Sequence, residues 1–162
     1  MDKISKISKI TNNIFLGSIE GIRQFILNKY NIFNIVSIIC PEYEKIIRER
    51  LTKKYNIIFI SMHDNMLNKN VFKEKLDIIY PKISYLLDKN KKIFFHCFMG
   101  ISRSATAVLY VLMRYYSLSL SNAYKLLQKK RPIISPNIGF IKILLDMENK
   151  RKTKLIKNNK QK

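Results

Sequence analysis

The chain has 162 residues, 47% of them hydrophobic, and 31 Lys and Arg against 11 Asp and Glu give a formal net charge of +20. That length suits one domain with its own core, and the apolar content excludes a disordered chain. Two cysteines far apart, Cys40 and Cys97, exclude a disulfide framework and fit a reducing compartment, so a cytoplasmic protein is expected.

Met1 to Ile10 alternates Ile with Lys and Ser and lacks a signal-peptide core. No stretch reaches the roughly 18 apolar residues of a membrane span. The positive charge is mostly Lys spread along the whole chain, and Ile and Asn are abundant too. All three have A/T-rich codons, so base composition accounts for the bias without a dedicated basic face. Salt-sensitive attraction to acidic partners is expected, but no specific nucleic acid.

In chain order, Ile4, Ile7 and Ile10 are three apart, predicting a short amino-terminal helix over 1–10 that docks on the body or forms a homodimer. Ile14 to Leu16, closed by Gly17, reads as a strand, and Ile19 to Lys29 as a helix. Phe33 to Ile39 is a β-branched run stopped by Cys40-Pro41, the pattern of a buried strand. Glu42 to Lys54 is charged with one apolar face of Ile46, Ile47 and Leu51, and Asn56 to Met62 is a further strand. His63 to Asn70 is polar and predicted as a surface loop. Val71 to Leu87 has helical spacing, with Pro81 as a candidate bend.

Lys92 to His96 is a short strand and Ser102 to Tyr116 an apolar helix. Ser121 is the expected cap of a helix to Lys129, Arg131-Pro132 ends it, and Asn137 to Asn149 forms a last helix. The expected organisation is one main domain over 11–149 and a basic, frayed tail over 150–162. Strands interleaved with helices, then helices alone, give an α/β fold with a mainly parallel central sheet flanked by helices.

The chemistry lies in Lys92 to Thr106, KIFFHCFMGISRSAT, where Cys97 and Arg103 bracket five residues between a strand and a helix. A thiolate is available near neutrality only if its pKa is lowered, and a helix amino terminus lowers it from about 8.5 to roughly 3.5–7.5. The backbone N–H groups of Phe98, Met99, Gly100, Ile101, Ser102 and Arg103 can curl around phosphate oxygens as an anion nest. Gly100 eases the tight curve. Arg103 can hold two oxygens bidentately, which Lys cannot.

His96-Cys97-Phe98-Met99-Gly100-Ile101-Ser102-Arg103-Ser104 resembles the signature loop of the protein tyrosine phosphatase superfamily, and length and flanks resemble its small dual-specificity members. The likeness runs from Ile14-Phe15-Leu16-Gly17 to Arg131-Pro132, Pro136-Asn137 and Gly139-Phe140. Thr11 to Gly17 is also similar to the poxvirus virion phosphatase type, which would place the protein in host cytoplasm and virion. The resemblance implies that Asp64, in His63-Asp64-Asn65 about thirty residues before the cysteine, is the general acid. Its rivals, Asp77 and Asp88, fall in helical patterns.

The resemblance further implies that Ser104 donates to the departing thiolate, that His96 orients the cysteine and its loop, and that Asn137 braces the loop. Helix capping is the plain alternative for Ser104 and for Asn137. Some relatives pair a cysteine at the position of Cys40 with the nucleophile in a reversible disulfide; a quiet buried thiol is the alternative. His96 and His63 are the two histidines, and with no Cys/His cluster in the sequence around them, no metal and no cofactor are expected.

The implied reaction is attack by Cys97 on a phosphoprotein, protonation of the leaving oxygen by Asp64, and hydrolysis of a phosphocysteine, with a bell-shaped, somewhat acidic pH optimum. No separate loop for gripping a deep phosphotyrosine is evident, which suits phosphotyrosine, phosphoserine and phosphothreonine alike. RNA 5′ phosphates, phosphoinositides and a non-catalytic phosphate-binding module are the alternatives.

Overall fold

The computed structural model describes residues 6–51, 53–65, 67 and 69–159. Five strands form one sheet: β1 (Ile7–Lys9), β2 (Ile14–Gly17), β3 (Asn34–Ile39), β4 (Asn56–Ser61) and β5 (Ile93–His96), in the order β1-β2-β5-β3-β4. All neighbours pair in parallel except β1 with β2. The helices are α1 (Gln24–Tyr30), α2 (Pro41–Arg50), α3 (Lys69–Asp88), α4 (Arg103–Tyr115), α5 (Leu120–Lys130) and α6 (Ile138–Asn159), with a 3-10 turn at Ile19–Ile22.

Alternation along the strands sends neighbouring side chains to opposite faces. Ile14, Leu16, Val36, Ile38 and Phe95 join one core with residues of α3, α4, α5 and α6. Phe15, Ile35, Ile39 and Phe94 join the other with residues of α1 and α2. The predicted α/β fold with a mainly parallel sheet flanked by helices is therefore the one observed.

Several local expectations change. Residues 7–9 form a strand, not a helix. Thr11 Oγ1 accepts the N–H groups of Asn13 and Ile14, turning the chain so that β1 lies antiparallel on β2. Long-range pairing thus overrides a local three-residue spacing that was too short to nucleate a helix alone. Ile7 and Ile10, 8% and 4% exposed, are buried in the protein's own cores rather than presented to a second subunit; Ile4 lies outside the described residues.

The cap of α5 is Ser119, whose side chain accepts from Asn122 N, not Ser121. The expected frayed tail is instead, through Asn159, the second half of α6. Arg151 pins it by donating to the carbonyls of Met113 and Ser117, and Lys152 pairs with Glu148. Pro81 lies inside α3, which continues through it.

Burial of Ile7 makes a prediction: Ile7→Ala should lower unfolding stability by about 2–3 kcal/mol in urea titration. A stripe used only between subunits would leave the isolated domain's stability unchanged.

Candidate active site

The carboxyl ends of β2, β3, β4 and β5 converge on one edge of the sheet, where open parallel sheets bind ligands. From β5 the chain leaves as His96-Cys97 and curls to α4, which begins at Arg103. Every carbonyl of the curl has a donor. Cys97 O meets His96 Nδ1 at 3.3 Å, Phe98 O accepts Ile19 N at 3.1 Å, and Ile101 O accepts Ser135 N at 3.0 Å. Arg131 Nε donates to Gly100 O at 2.8 Å and its Nη2 to Met99 O at 3.1 Å. Ser102 O accepts Thr106 N at 2.8 Å and Thr106 Oγ1 at 2.9 Å.

The peptide bonds among the described residues are trans. In a trans peptide the N–H points opposite to the C=O. Tying the carbonyls back to the body therefore turns the N–H groups toward the loop's interior, the geometry of an anion nest. Gly100 adopts φ +70°, and a Cβ there would lie 2.3 Å from Gly17 O. Only Gly fits at this approach.

At the base of the loop, Cys97 is 2% exposed. Its Sγ accepts Gly100 N at 3.2 Å and Ser104 Oγ at 3.1 Å. Both contacts set a donor against the sulfur. Ser104 therefore reaches the sulfur, while the cap position of α4 is Ser102.

Asp64 follows β4, and its Oδ1 accepts Ser102 Oγ at 2.9 Å and Asn137 Nδ2 at 2.6 Å. Asn137 also caps α6, its Oδ1 accepting Phe140 N at 3.0 Å, so capping and bracing coexist in one side chain. Arg103 Nη1 donates to Met62 O at 3.0 Å and to Cys40 Sγ at 3.3 Å. Arg103 Nε lies 3.8 Å from Asp64 Oδ2 and is buried with no hydrogen-bond partner among the described residues. Cys40, Asp64, Cys97, Phe98, Met99, Ile101, Ser102 and Arg103 line one cleft of about 430 Å³ with Glu42 and Tyr43.

The chain's residues 14–150 match the family model "Dual specificity phosphatase, catalytic domain". The chain belongs to the dual-specificity phosphatase family. It is 33% identical over 150 residues to the Caenorhabditis elegans "Tyrosine-protein phosphatase vhp-1", covering 88% of this chain and 21% of that one. It is equally 33% identical over 144 residues to "Putative tyrosine phosphatase 123R" of Invertebrate iridescent virus 6, covering 87% of this chain and 91% of the viral one. The chain thus spans about a fifth of the nematode relative and nearly all of the viral one. In structure it resembles the human tyrosine phosphatase-like serine/threonine/tyrosine-interacting protein, with a TM-score of 0.75 at 24% identity, covering 88% and 95% of the two chains.

Within this dual-specificity phosphatase domain the rival carboxylates lie elsewhere. Asp77 is held by Lys73, Tyr110 and Arg114, and Asp88 accepts from Tyr115. A larger cavity, about 630 Å³ between α3, α4 and α6, holds Asp77 but neither cysteine. Two loop supports escaped the sequence reading: Ser102 as a link from Asp64 to Asn137, whose N–H it accepts at 3.1 Å, and Arg131. Arg131 is 1% exposed, and burial pulls its guanidinium below its ordinary value while the negative charge of Cys97 raises it. It nevertheless stays protonated. The expectation of no Cys/His cluster is also corrected: ligating atoms of Cys40, Glu42 and His63 lie within 4.8 Å of one another.

His96 is fully buried, and burial pushes its pKa from 6.5 down to about 4, with the Arg103 charge acting in the same direction and the Cys97 carbonyl opposing. Near neutrality it is an uncharged spacer that hands Nδ1–H to the carbonyl of Cys97.

Two predictions follow from this geometry. In Arg131→Met the carbonyls of Met99 and Gly100 lose their donors, so stability should fall by about 2–4 kcal/mol and vanadate affinity at least roughly tenfold. Calorimetry reads both, and Arg131→Lys should recover only part of each. For His96 the folded pKa lies below the unfolded one, so between them the unfolded chain binds the extra proton. Stability is present above about 6.5 and is lost as pH falls toward about 4. Urea midpoints should show a loss of about 2 kcal/mol by about pH 5, and His96→Gln should flatten that slope.

Proposed function

We propose that this domain is a cysteine-dependent phosphoprotein phosphatase that takes phosphotyrosine and phosphoserine or phosphothreonine. The observation that carries the reading is the buried Cys97 sulfur, which accepts Gly100 N–H and Ser104 O–H at 3.2 and 3.1 Å in the cleft that Asp64 and Arg103 also line.

A phosphoryl group entering the loop meets inward N–H groups and Arg103 Nε, which has no hydrogen-bond partner among the described residues. Cys97 attacks phosphorus and the ester oxygen leaves. Asp64 gives that oxygen its proton from Oδ2, since Oδ1 is occupied by Ser102 and Asn137. Ionised Asp64 then takes a proton from water, which hydrolyses the phosphocysteine. Ser104 stabilises the departing thiolate.

The cleft wall is apolar. Phe98 packs on Tyr43 with ring centroids 5.6 Å apart, and Phe98 and Met99 are exposed. Such a wall suits a phenyl ring or a peptide side chain better than the multiply charged headgroup of a phosphoinositide or an RNA triphosphate, which would want cations there. None of Phe98, Met99 and Ile101 supplies one.

Phosphate release from phosphotyrosine and phosphothreonine peptides tests the reading. Wild type should turn over both; Cys97→Ser should abolish release, and Asp64→Asn should lower kcat by roughly 10²–10⁴. Release from phosphoinositide or triphosphate RNA alone would move the substrate class, and full activity of Cys97→Ser would refute the chemistry.

A further inference from the structure

The register of β3 and β4 sets Ile39 opposite Ser61, and the ladder runs one step further as Met62 N donates to Ile39 O at 2.8 Å. Cys40 and His63 therefore leave the sheet side by side. Pro41 starts α2 at once, and its first turn holds Glu42 over the same edge. Asn65 N donates to His63 O at 3.0 Å, which closes a turn around Asp64. The outcome is a thiol, a carboxylate and an imidazole whose ligating atoms all lie within 4.8 Å of one another, the one such trio among the described residues.

We propose that Cys40, Glu42 and His63 form a zinc-class divalent-cation site at the mouth of the catalytic cleft, and that its occupation restrains the phosphatase. The donor set decides the class of cation. Sulfur, nitrogen and a single carboxylate suit Zn²⁺, with three protein ligands and a fourth position open to solvent. Mg²⁺ and Ca²⁺ want mainly oxygen.

Around tetrahedral zinc these donors would sit roughly 3.4–3.6 Å apart, so no pair of the trio has to close by more than about 1.4 Å. Cys40 is half-buried while Glu42 and His63 are exposed, so their side chains have room to do so. Cys40 binds as thiolate and gives its proton to solvent, with no change of oxidation state. The positive end of α2 and the Arg103 guanidinium oppose a cation here, so affinity rests on the sulfur. The chain has two cysteines and two histidines. One of each, Cys97 and His96, belongs to the phosphate loop, and the other Cys and His meet at this edge.

Occupation acts on two parts of the cleft. The metal takes the sulfur that Arg103 Nη1 touches at 3.3 Å and sets a dication beside that guanidinium. It also fixes His63, the neighbour of Asp64, and so ties down the loop that carries the carboxylate.

Cobalt(II) titrated into the full chain, kept reduced with a non-chelating phosphine, tests the site without reference to turnover. One equivalent should bind with a thiolate-to-cobalt charge-transfer band in wild type and in Cys97→Ser. The band should vanish in Cys40→Ser. Zinc affinity, read by competition with a chromophoric chelator, should fall at least roughly tenfold in His63→Ala and in Glu42→Gln, with melting curves confirming that each variant folds. In phosphate release, micromolar zinc should inhibit wild type reversibly by chelator, and His63→Ala should need about tenfold more. A band that survives Cys40→Ser but disappears in Cys97→Ser would place the metal on the loop cysteine and overturn the proposal. So would unchanged zinc affinity in His63→Ala, or no metal uptake by wild type. Metal binding at the trio in a protein that releases no phosphate would instead count against the phosphatase reading alone.

Discussion

The arrangement depends on one constraint: a short loop must turn its N–H groups inward, and its carbonyls must then find donors on the outside. An unpartnered buried carbonyl costs about 1–3 kcal/mol, so a curl with several of them could not persist alone. The body of the domain supplies the donors from four directions. They are Ile19 after β2, Arg131 and Ser135 after α5, His96 from β5, and Thr106 inside α4. The loop is thus held from behind and leaves its inner face for an anion. Gly100 against Gly17 O shows how close this backing lies.

The two buried arginines divide the electrostatic work. Arg131 is locked to loop carbonyls and to Ser8 Oγ, with its charge facing the Cys97 sulfur from behind. Arg103 stands in front, held by Met62 O and Cys40, its Nε near Asp64 Oδ2 but without a hydrogen-bond partner among the described residues. His96 adds no third charge, because burial keeps it neutral. The loop that carries Asp64 is closed onto the same assembly: Asp64, Ser102 and Asn137 form a small network joining the end of β4, the loop and α6. The scaffold and the chemistry therefore share their hydrogen bonds, and a change to one is felt by the other.

Much of this was legible in the chain. The β-branched runs gave β3 and β4, and the strand–loop–helix around Cys97 gave the site because its residue types are demanded by anion chemistry at fixed spacing. Asp64, Ser104 and Asn137 came from the family resemblance; in the structure Ser104 donates to the sulfur, while Asp64 lines the same cleft and is tied to Ser102 and Asn137. What stayed hidden depends on long-range geometry. β1 is defined by pairing with β2, which no local period reveals. The second half of α6 is held by Arg151 on the end of α4, and composition alone reads as a solvated tail. Arg131 had one available signal: in a chain whose cations are mostly Lys, an Arg before Pro at the end of an amphipathic helix is a chosen residue. The trio of Cys40, Glu42 and His63 was invisible because its members meet only through the β3–β4 register.

The central claim is that Cys97 carries the phosphoryl group between substrate and water, with Ser104 easing its release. Acid-quenched turnover of a phosphotyrosine peptide by Ser104→Ala, read by peptide mass spectrometry, tests it most directly. The account predicts that one phosphoryl group accumulates on Cys97. Steady turnover with no adduct, or with the adduct on another residue, would contradict it.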